Sequence, residues 1–436
     1  MEEDHSEPVV RSRDIGFLLF LTLLNIINFV DRQLLPSFAN WIVPELGLTN
    51  TQFGLLVGLV FIFFYAVMGL FMGALADRVN RTRLIAAGLA LWSGLTALSG
   101  MAQGFLSMAL PRMFIGVGES ILTPAAMSLL GDRFPSKWQG VALGVYGIGV
   151  PIGGACSLFV VAFLEPILGW RGCFYLLGAF GLVLAAVMLP LKETPRIHQR
   201  VAKDSPKLTL RVIVVTLIYA LKNSPALTLT ILGGVIFTFF IGAAFFEQLW
   251  FVQERGFDRS EIAEVAAWYA ILGGVSGTLF GGYGGDLFLR KTGIGRPMFL
   301  FWIMLVLAPF NIAFRIVDPD SLLFWLGLFI IYFQVGCFYG PTFATVQELT
   351  PPRIRGTMMA FVILALQLLG IGVGVSIAGL VIDWQMAAQI PDPYTKTLVT
   401  FTLISMLSIP MYWVAGRRFD RDRKALFERE SVASIG

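Results

Sequence analysis

The chain has 436 residues, 56% of them hydrophobic and 14% charged, with a formal net charge of +4 and a mean hydropathy of +0.77. A soluble domain carries about 25% charged and about 45–50% apolar residues, so this composition excludes a soluble globular protein. The apolar runs are continuous rather than alternating, which excludes a β-barrel, and the small basic excess lies beside those runs, a topology signal rather than a nucleic-acid surface.

A helical span needs about 20 apolar residues, and twelve runs qualify in chain order: 15–38, 51–76, 83–103, 107–130, 138–163, 171–191, 226–251, 261–287, 297–316, 322–346, 354–382 and 396–416. The first is longer than the apolar core of a signal peptide, about 7–15 residues, and follows a segment that is acidic as well as basic, so it reads as an uncleaved span. Between the sixth and seventh runs, 212–221 is apolar but too short to cross. The stretch 208–222 is therefore expected to be an interfacial helix anchored by Arg211 and Lys222. The predicted fold is an all-α membrane protein: twelve transmembrane helices in two pseudo-symmetric six-helix bundles. Residues 1–191 form the first bundle, 192–225 a linker, and 226–436 the second bundle with a basic tail.

The basic residues support this count. Two precede span 1, three lie between spans 2 and 3, two between spans 4 and 5, seven in 192–222, three between spans 8 and 9, two before span 11 and six in the tail, which makes 25 of the 32. The opposite loops hold Arg171, Arg255, Arg259, Arg315 and Lys396, and Arg32 and Arg112 fall inside spans. Basic residues are retained on the cytoplasmic side, so both termini are expected in the cytoplasm, in the plasma (inner) membrane.

Little enzymatic chemistry is available. His5 and His198 lie outside the spans, Cys156, Cys173 and Cys337 each stand alone, and no G-x-x-x-x-G-K-[ST] loop occurs. No catalytic residue, metal site or cofactor is expected, and the chain is not read as an enzyme. The chemistry lies instead in charges within the spans, each costing several kcal/mol if left unpaired in lipid. Span 1 carries Asp31 and Arg32, with Asn25, Asn28 and Arg32 on one helical stripe. Span 4 carries Arg112 and Glu119, seven residues and roughly 10 Å apart along one face. With no His in any span, Asp31 and Glu119 are the groups able to carry a coupled proton, while Arg32 and Arg112, with Asn28, suit an anionic ligand. A purely structural cluster joining the two spans is the alternative. In the second half Glu247 is expected near the outer end of span 7, within reach of interfacial water. Phe240, Phe338 and Tyr339 could hold an apolar tail or simply pack against other helices.

The two halves repeat. Gly73, Asp77, Arg78 and Arg81 follow span 2, and Gly282, Asp286, Arg290 and Lys291 follow span 8. Pro135-Ser-Lys-Trp-Gln-Gly140 precedes span 5, and Pro352-Arg-Ile-Arg-Gly356 precedes span 11. Such duplication is an architecture of secondary transporters. The pattern Gly73, Asp77, Arg78, Arg81 resembles the major facilitator superfamily signature, where a Gly usually stands at the place of Asn80. The span 5 run Gly144, Gly147, Gly149, Pro151, Gly153, Gly154 is similar to that superfamily's Gly-Pro antiporter motif. Asn28-Phe-Val-Asp31-Arg32 and Arg112-x3-Gly116-x-Gly118-Glu119 resemble the Spinster family. The resemblance implies a gradient-driven carrier, often of lysophospholipid- or sphingosine-phosphate-type lipids, with the Gly73–Arg81 motif acting in gating.

The expected function is thus an alternating-access, proton-coupled transporter for an anionic amphiphile. A carrier of a soluble organic anion or sugar acid, a drug exporter, and a non-transporting receptor or channel are the alternatives. The expected partners are a small amphiphilic or anionic substrate, protons and the lipid bilayer, with no nucleic acid and a monomeric state.

Overall fold

The structure is a computed structural model and describes residues 11–76, 78–195, 210–351 and 354–433. Among the described residues, ten helices are long and apolar enough to cross a membrane. Span 1 is Ser12–Ser37, span 2 Asn50–Ala76, span 4 Phe105–Arg133, span 7 Pro225–Gln253, span 8 Arg259–Thr292, span 9 Arg296–Ile316, span 10 Leu322–Glu348, span 11 Arg355–Ala387 and span 12 Pro393–Leu426. The tenth, Lys137–Met188, is two spans in one run of 52 residues. Its chain reverses at Gly169, whose φ of 64° is a left-handed conformation that a side chain would resist. Span 3, Arg81–Ser99, completes the expected twelve. The short apolar stretch is a separate helix, Leu210–Asn223.

Polar residues start these helices where free N–H groups need partners. Asn80 accepts from Arg83 N at 2.8 Å at the head of span 3, which accounts for Asn at that place in the motif. Ser224 followed by Pro225 opens span 7, and Asp258 accepts from Ser260 N and Glu261 N to open span 8. Large apolar side chains such as Leu106, Ile167, Leu279 and Leu322 stay exposed on the helix surfaces. Such surfaces suit hydrocarbon rather than water.

The chain divides into two compact units, with boundaries at Leu48/Thr49, Leu59/Val60 and Pro206/Lys207. In the first, Gly149 and Gly153 of span 5 lie against Asn25 and Ile26 of span 1, and a Cβ on Gly153 would meet the Ile26 carbonyl at 2.5 Å. Gly144, Gly147 and Gly154 face open space, so only part of the glycine run serves helix packing. In the second unit, Gly273, Gly277 and Gly281 form a stripe every four residues along span 8. A Cβ on Gly273 or Gly281 would fall 2.9 or 2.6 Å from the backbone of span 10, and one on Gly277 would strike Phe333. Small residues at this spacing let two helix backbones touch in a membrane. The same unit holds residues 50–57, whose N-terminal Asn50 N and Thr51 N donate to the Asp383 carboxylate at 3.0 and 2.7 Å.

The halves share local details. Span 5 contains a π-helical turn at Val160–Leu164 and span 11 another at Ala365–Gly372. Arg81, 1% exposed, binds Asp132 at 2.5 Å, Glu193 at 2.7 Å, Ser128 and the Thr194 carbonyl. Arg296 likewise binds Asp286 at 2.8 Å and Glu348 at 2.5 Å, and Glu348 also accepts from Arg423. Each arginine begins the third span of its half and gathers acids from the ends of neighbouring spans.

Candidate functional site

The first unit gathers two acids and two bases in one cluster, three of them buried and Arg32 partly so. Asp31 is 5% exposed, Arg112 3% and Glu119 1%. Arg32 of span 1 donates through Nε and Nη2 to Glu119 Oε2 at 3.3 and 3.2 Å. Its guanidinium also stands 4.2 Å from the Tyr65 ring centroid and 4.7 Å from that of Phe29. Cation–π contacts of this kind contribute about 0.5–2 kcal/mol each, so Arg32 is held even where its carboxylate partner is lost.

Arg112 does not neutralise Glu119 directly, although the two share a helix face. Its Nη2 donates to the Arg32 carbonyl at 2.7 Å and its Nη1 to the Asp31 carbonyl at 3.4 Å, and it lies over the Phe61 ring at 4.7 Å. A guanidinium reaches carbonyls across the helix interface more readily than a carboxylate two turns down its own helix. Arg112 therefore clamps the backbone of span 1 at its charged pair. Asp31 accepts from the Thr96 hydroxyl, at 2.7 and 2.6 Å from its two oxygens. Three polar atoms here, Glu119 Oε1, Arg112 Nε and Asn28 Nδ2, have no partner among the described residues. A cluster of zero net charge with unused donors and acceptors can take up a proton or an anion without rebuilding its frame.

Three contributors escaped the sequence reading. Thr96 is signalled only by the polar pair Ser93 and Thr96 in an apolar span, and Phe61 and Tyr65 by an i, i+4 aromatic pair.

In the second unit Glu247 is not near interfacial water. It is 6% exposed and its Oε1 accepts from Arg315 Nη2 at 2.5 Å, while Arg315 is wholly buried between the Trp250 and Phe314 rings. The reason is a break in span 7 at Ala244–Phe246, after which a new helical segment starts at Glu247 and turns the carboxylate inward. Phe240 and Phe338 are packed in the core of this unit, 3% and 0% exposed, with Phe237 between them at 5.8 and 4.7 Å. Tyr339 is half-buried against Phe338 and Phe343. Of the Gly73–Arg81 motif, Gly73 is partly exposed, Arg78 is exposed and Arg81 buried, whereas Asp77 lies outside the described residues.

Known proteins resemble the chain in sequence and fold. The chain is 27% identical to an MFS-type efflux pump of Mycolicibacterium smegmatis over 97% of each chain. It is 26% identical to the hexuronate transporter of Bacillus subtilis over 84% of this chain and 87% of that one. Its fold matches the crystal structure of a bacterial homologue of the human lysosomal transporter Spinster in an inward-facing, unoccupied conformation, with a TM-score of 0.80 and 23% identity, covering 95% of this chain and 99% of that one. Residues 21–375 match the family model of the Major Facilitator Superfamily. With its membrane-embedded, multi-pass helical architecture, the chain belongs to that superfamily of transporters rather than to any class of enzyme.

Proposed function

We propose that the protein is a proton-coupled, alternating-access carrier of an organic anion, with Arg32 as the ligand group and Glu119 as its proton-controlled competitor. The observation that carries the reading is the part-buried Arg32–Glu119 pair at 3.2 Å. A proton on Glu119 removes the charge that occupies Arg32, and a substrate carboxylate or phosphate takes its place by charge-assisted hydrogen bonds. Proton and anion then enter together and the cluster stays neutral, which avoids the cost of a net charge in the bilayer. Asp31 is the second candidate proton carrier, and Arg112 keeps both groups of span 1 in position.

The hexuronate transporter among the relatives supports an organic acid as substrate. An amphiphile has less support, because Phe240 and Phe338, the intended tail contacts, are occupied in packing their own unit. A cationic-drug exporter would use Asp31 and Glu119 as ligands, yet Glu119 already faces Arg32 and Asp31 faces Thr96. The 25-to-5 distribution of basic residues supports cytoplasmic termini in the plasma (inner) membrane.

The test is uptake into proteoliposomes with glucuronate and a long-chain lysophospholipid as parallel probes. The expected result is acid-driven glucuronate accumulation, Glu119→Gln that still exchanges glucuronate but ignores the pH gradient, and Arg32→Gln that binds at least about tenfold more weakly. Uptake of the lysophospholipid alone would replace the small-acid reading with the amphiphile. Gradient-driven uptake retained by both variants would refute the mechanism.

A further inference from the structure

Thr96 sits in span 3, facing the acid of span 1, and is 2% exposed. The oxygen lies 2.7 and 2.6 Å from the two Asp31 oxygens and 3.0 Å from the Trp92 carbonyl of its own helix. All three neighbours are acceptors when Asp31 is ionised, but a hydroxyl has one proton. It can serve Asp31 or Trp92, not both. With Asp31 ionised, the charge-assisted bond to the carboxylate is the stronger and wins. With Asp31 protonated, the acid O–H donates to the Thr96 oxygen, whose own proton turns to the Trp92 carbonyl. Every donor is used in both states, and the exchange needs only a hydroxyl rotation.

We propose that Thr96 is the positioning residue of a coupling carboxylate, a hydroxyl switch that hydrogen-bonds Asp31 in both its ionised and its protonated states. The inference rests on the reading of Asp31 as a proton carrier and adds the device that keeps the carboxyl in one place while its charge changes. Without it, the buried carboxyl would lose this hydrogen-bond partner in both states, and the ionised state would lose the more. Asp31, Trp92, Ser93 and Thr96 also line a cavity of about 10 Å³ with Ile27 and Leu177, room for about one water beside the carboxyl. The charged groups that bear on Asp31 are Arg112 of span 4 and Arg32 of its own helix, with Glu119 of span 4 as the like charge. Span 3 contributes Trp92, Ser93 and Thr96 and span 6 contributes Leu177, none of which titrates in the working range, so the local response to pH comes from the acids themselves.

The experiment is an infrared titration of the full-length protein in liposomes, with no substrate, following the protonated-carboxyl band that disappears in Asp31→Asn. Thr96→Val keeps the shape and removes the hydroxyl, and Thr96→Ser restores it. Because the bond to the ionised acid is about twice as strong as that to the neutral one, Thr96→Val is expected to bind the Asp31 proton three- to tenfold more tightly, raising the titration midpoint by about 0.5–1 pH unit. The band should also move to higher frequency as the acid loses its acceptor. Thr96→Ser should restore both. A titrating Asp31 band indifferent to Thr96→Val, or a Ser variant that behaves like Val, would overturn the switch and leave the coupling role of Asp31 standing. If no band is lost in Asp31→Asn at any pH, Asp31 carries no proton, and the switch falls together with that role.

Discussion

Replacing Glu247 by Gln removes the counter-charge of an arginine that has no exposed side-chain surface. Arg315 Nε and Nη1 already lack partners among the described residues, so in the variant the guanidinium retains a neutral amide oxygen as acceptor and the rings of Trp250 and Phe314, 5.3 and 4.7 Å from its central carbon, but no counter-charge. Breaking a buried pair from one side typically costs about 3–5 kcal/mol, and the ring contacts return no more than about 2 kcal/mol if they tighten. At about 2–4 °C per kcal/mol for a unit of this size, Glu247→Gln should lower the melting temperature of the detergent-purified protein by roughly 2–20 °C. Intrinsic fluorescence is the assay, since Trp250 borders the pair. The double variant Glu247→Leu, Arg315→Met removes both charges and fills the same space, and apolar replacement of a whole buried pair is often neutral or stabilising. It should melt at or above the wild-type temperature. A double variant as unstable as Glu247→Gln, or a Glu247→Gln that melts like the wild type, would refute the argument that uncompensated burial is what matters here.

Gly277→Ala should destabilise by about 1–3 kcal/mol through overpacking, because its Cβ meets the rigid backbone at Phe333, whereas Gly282→Ala on the same helix meets open space and should be neutral or slightly stabilising; thermal unfolding distinguishes them. Arg81→Lys keeps the charge but cannot reproduce a fork that reaches Asp132, Glu193, Ser128 and the Thr194 carbonyl; accelerated proteolysis near 193–195 would report the loss, and unchanged cleavage would count against it. Asp258→Ala should cost about 1 kcal/mol by removing the cap of span 8. Backbone N–H groups of Glu261 and Ser260 hold the Asp258 carboxyl below its ordinary range, so its stabilisation is present above about pH 4 and fades as pH falls through the lowered value. The wild-type advantage over Asp258→Ala should therefore shrink in strong acid to what a neutral carboxyl oxygen can accept, and an advantage unchanged between neutral and strongly acid pH would exclude the charge as a contributor.

Much of this protein follows from sequence alone, for a physical reason. Hydrocarbon demands about 20 apolar residues per crossing and basic residues resist translocation, so span number is written locally and survives in the structure as twelve helices. The buried charges of spans 1 and 4 were equally legible, since an ionisable residue inside an apolar run is costly wherever it faces. Their partners were not. Spacing along span 4 places Arg112 and Glu119 on one face, but the rotation of span 1 against it decides that Arg32 takes the Glu119 carboxylate and that Arg112 takes carbonyls. The same limit hid Glu247, whose partner Arg315 lies 68 residues away and becomes visible only once a break in span 7 turns the acid inward. Hydropathy and charge act through the bilayer on each segment separately, whereas pairing depends on helix rotation and close backbone approach, as at Gly277 against Phe333, and those are properties of the packed bundle.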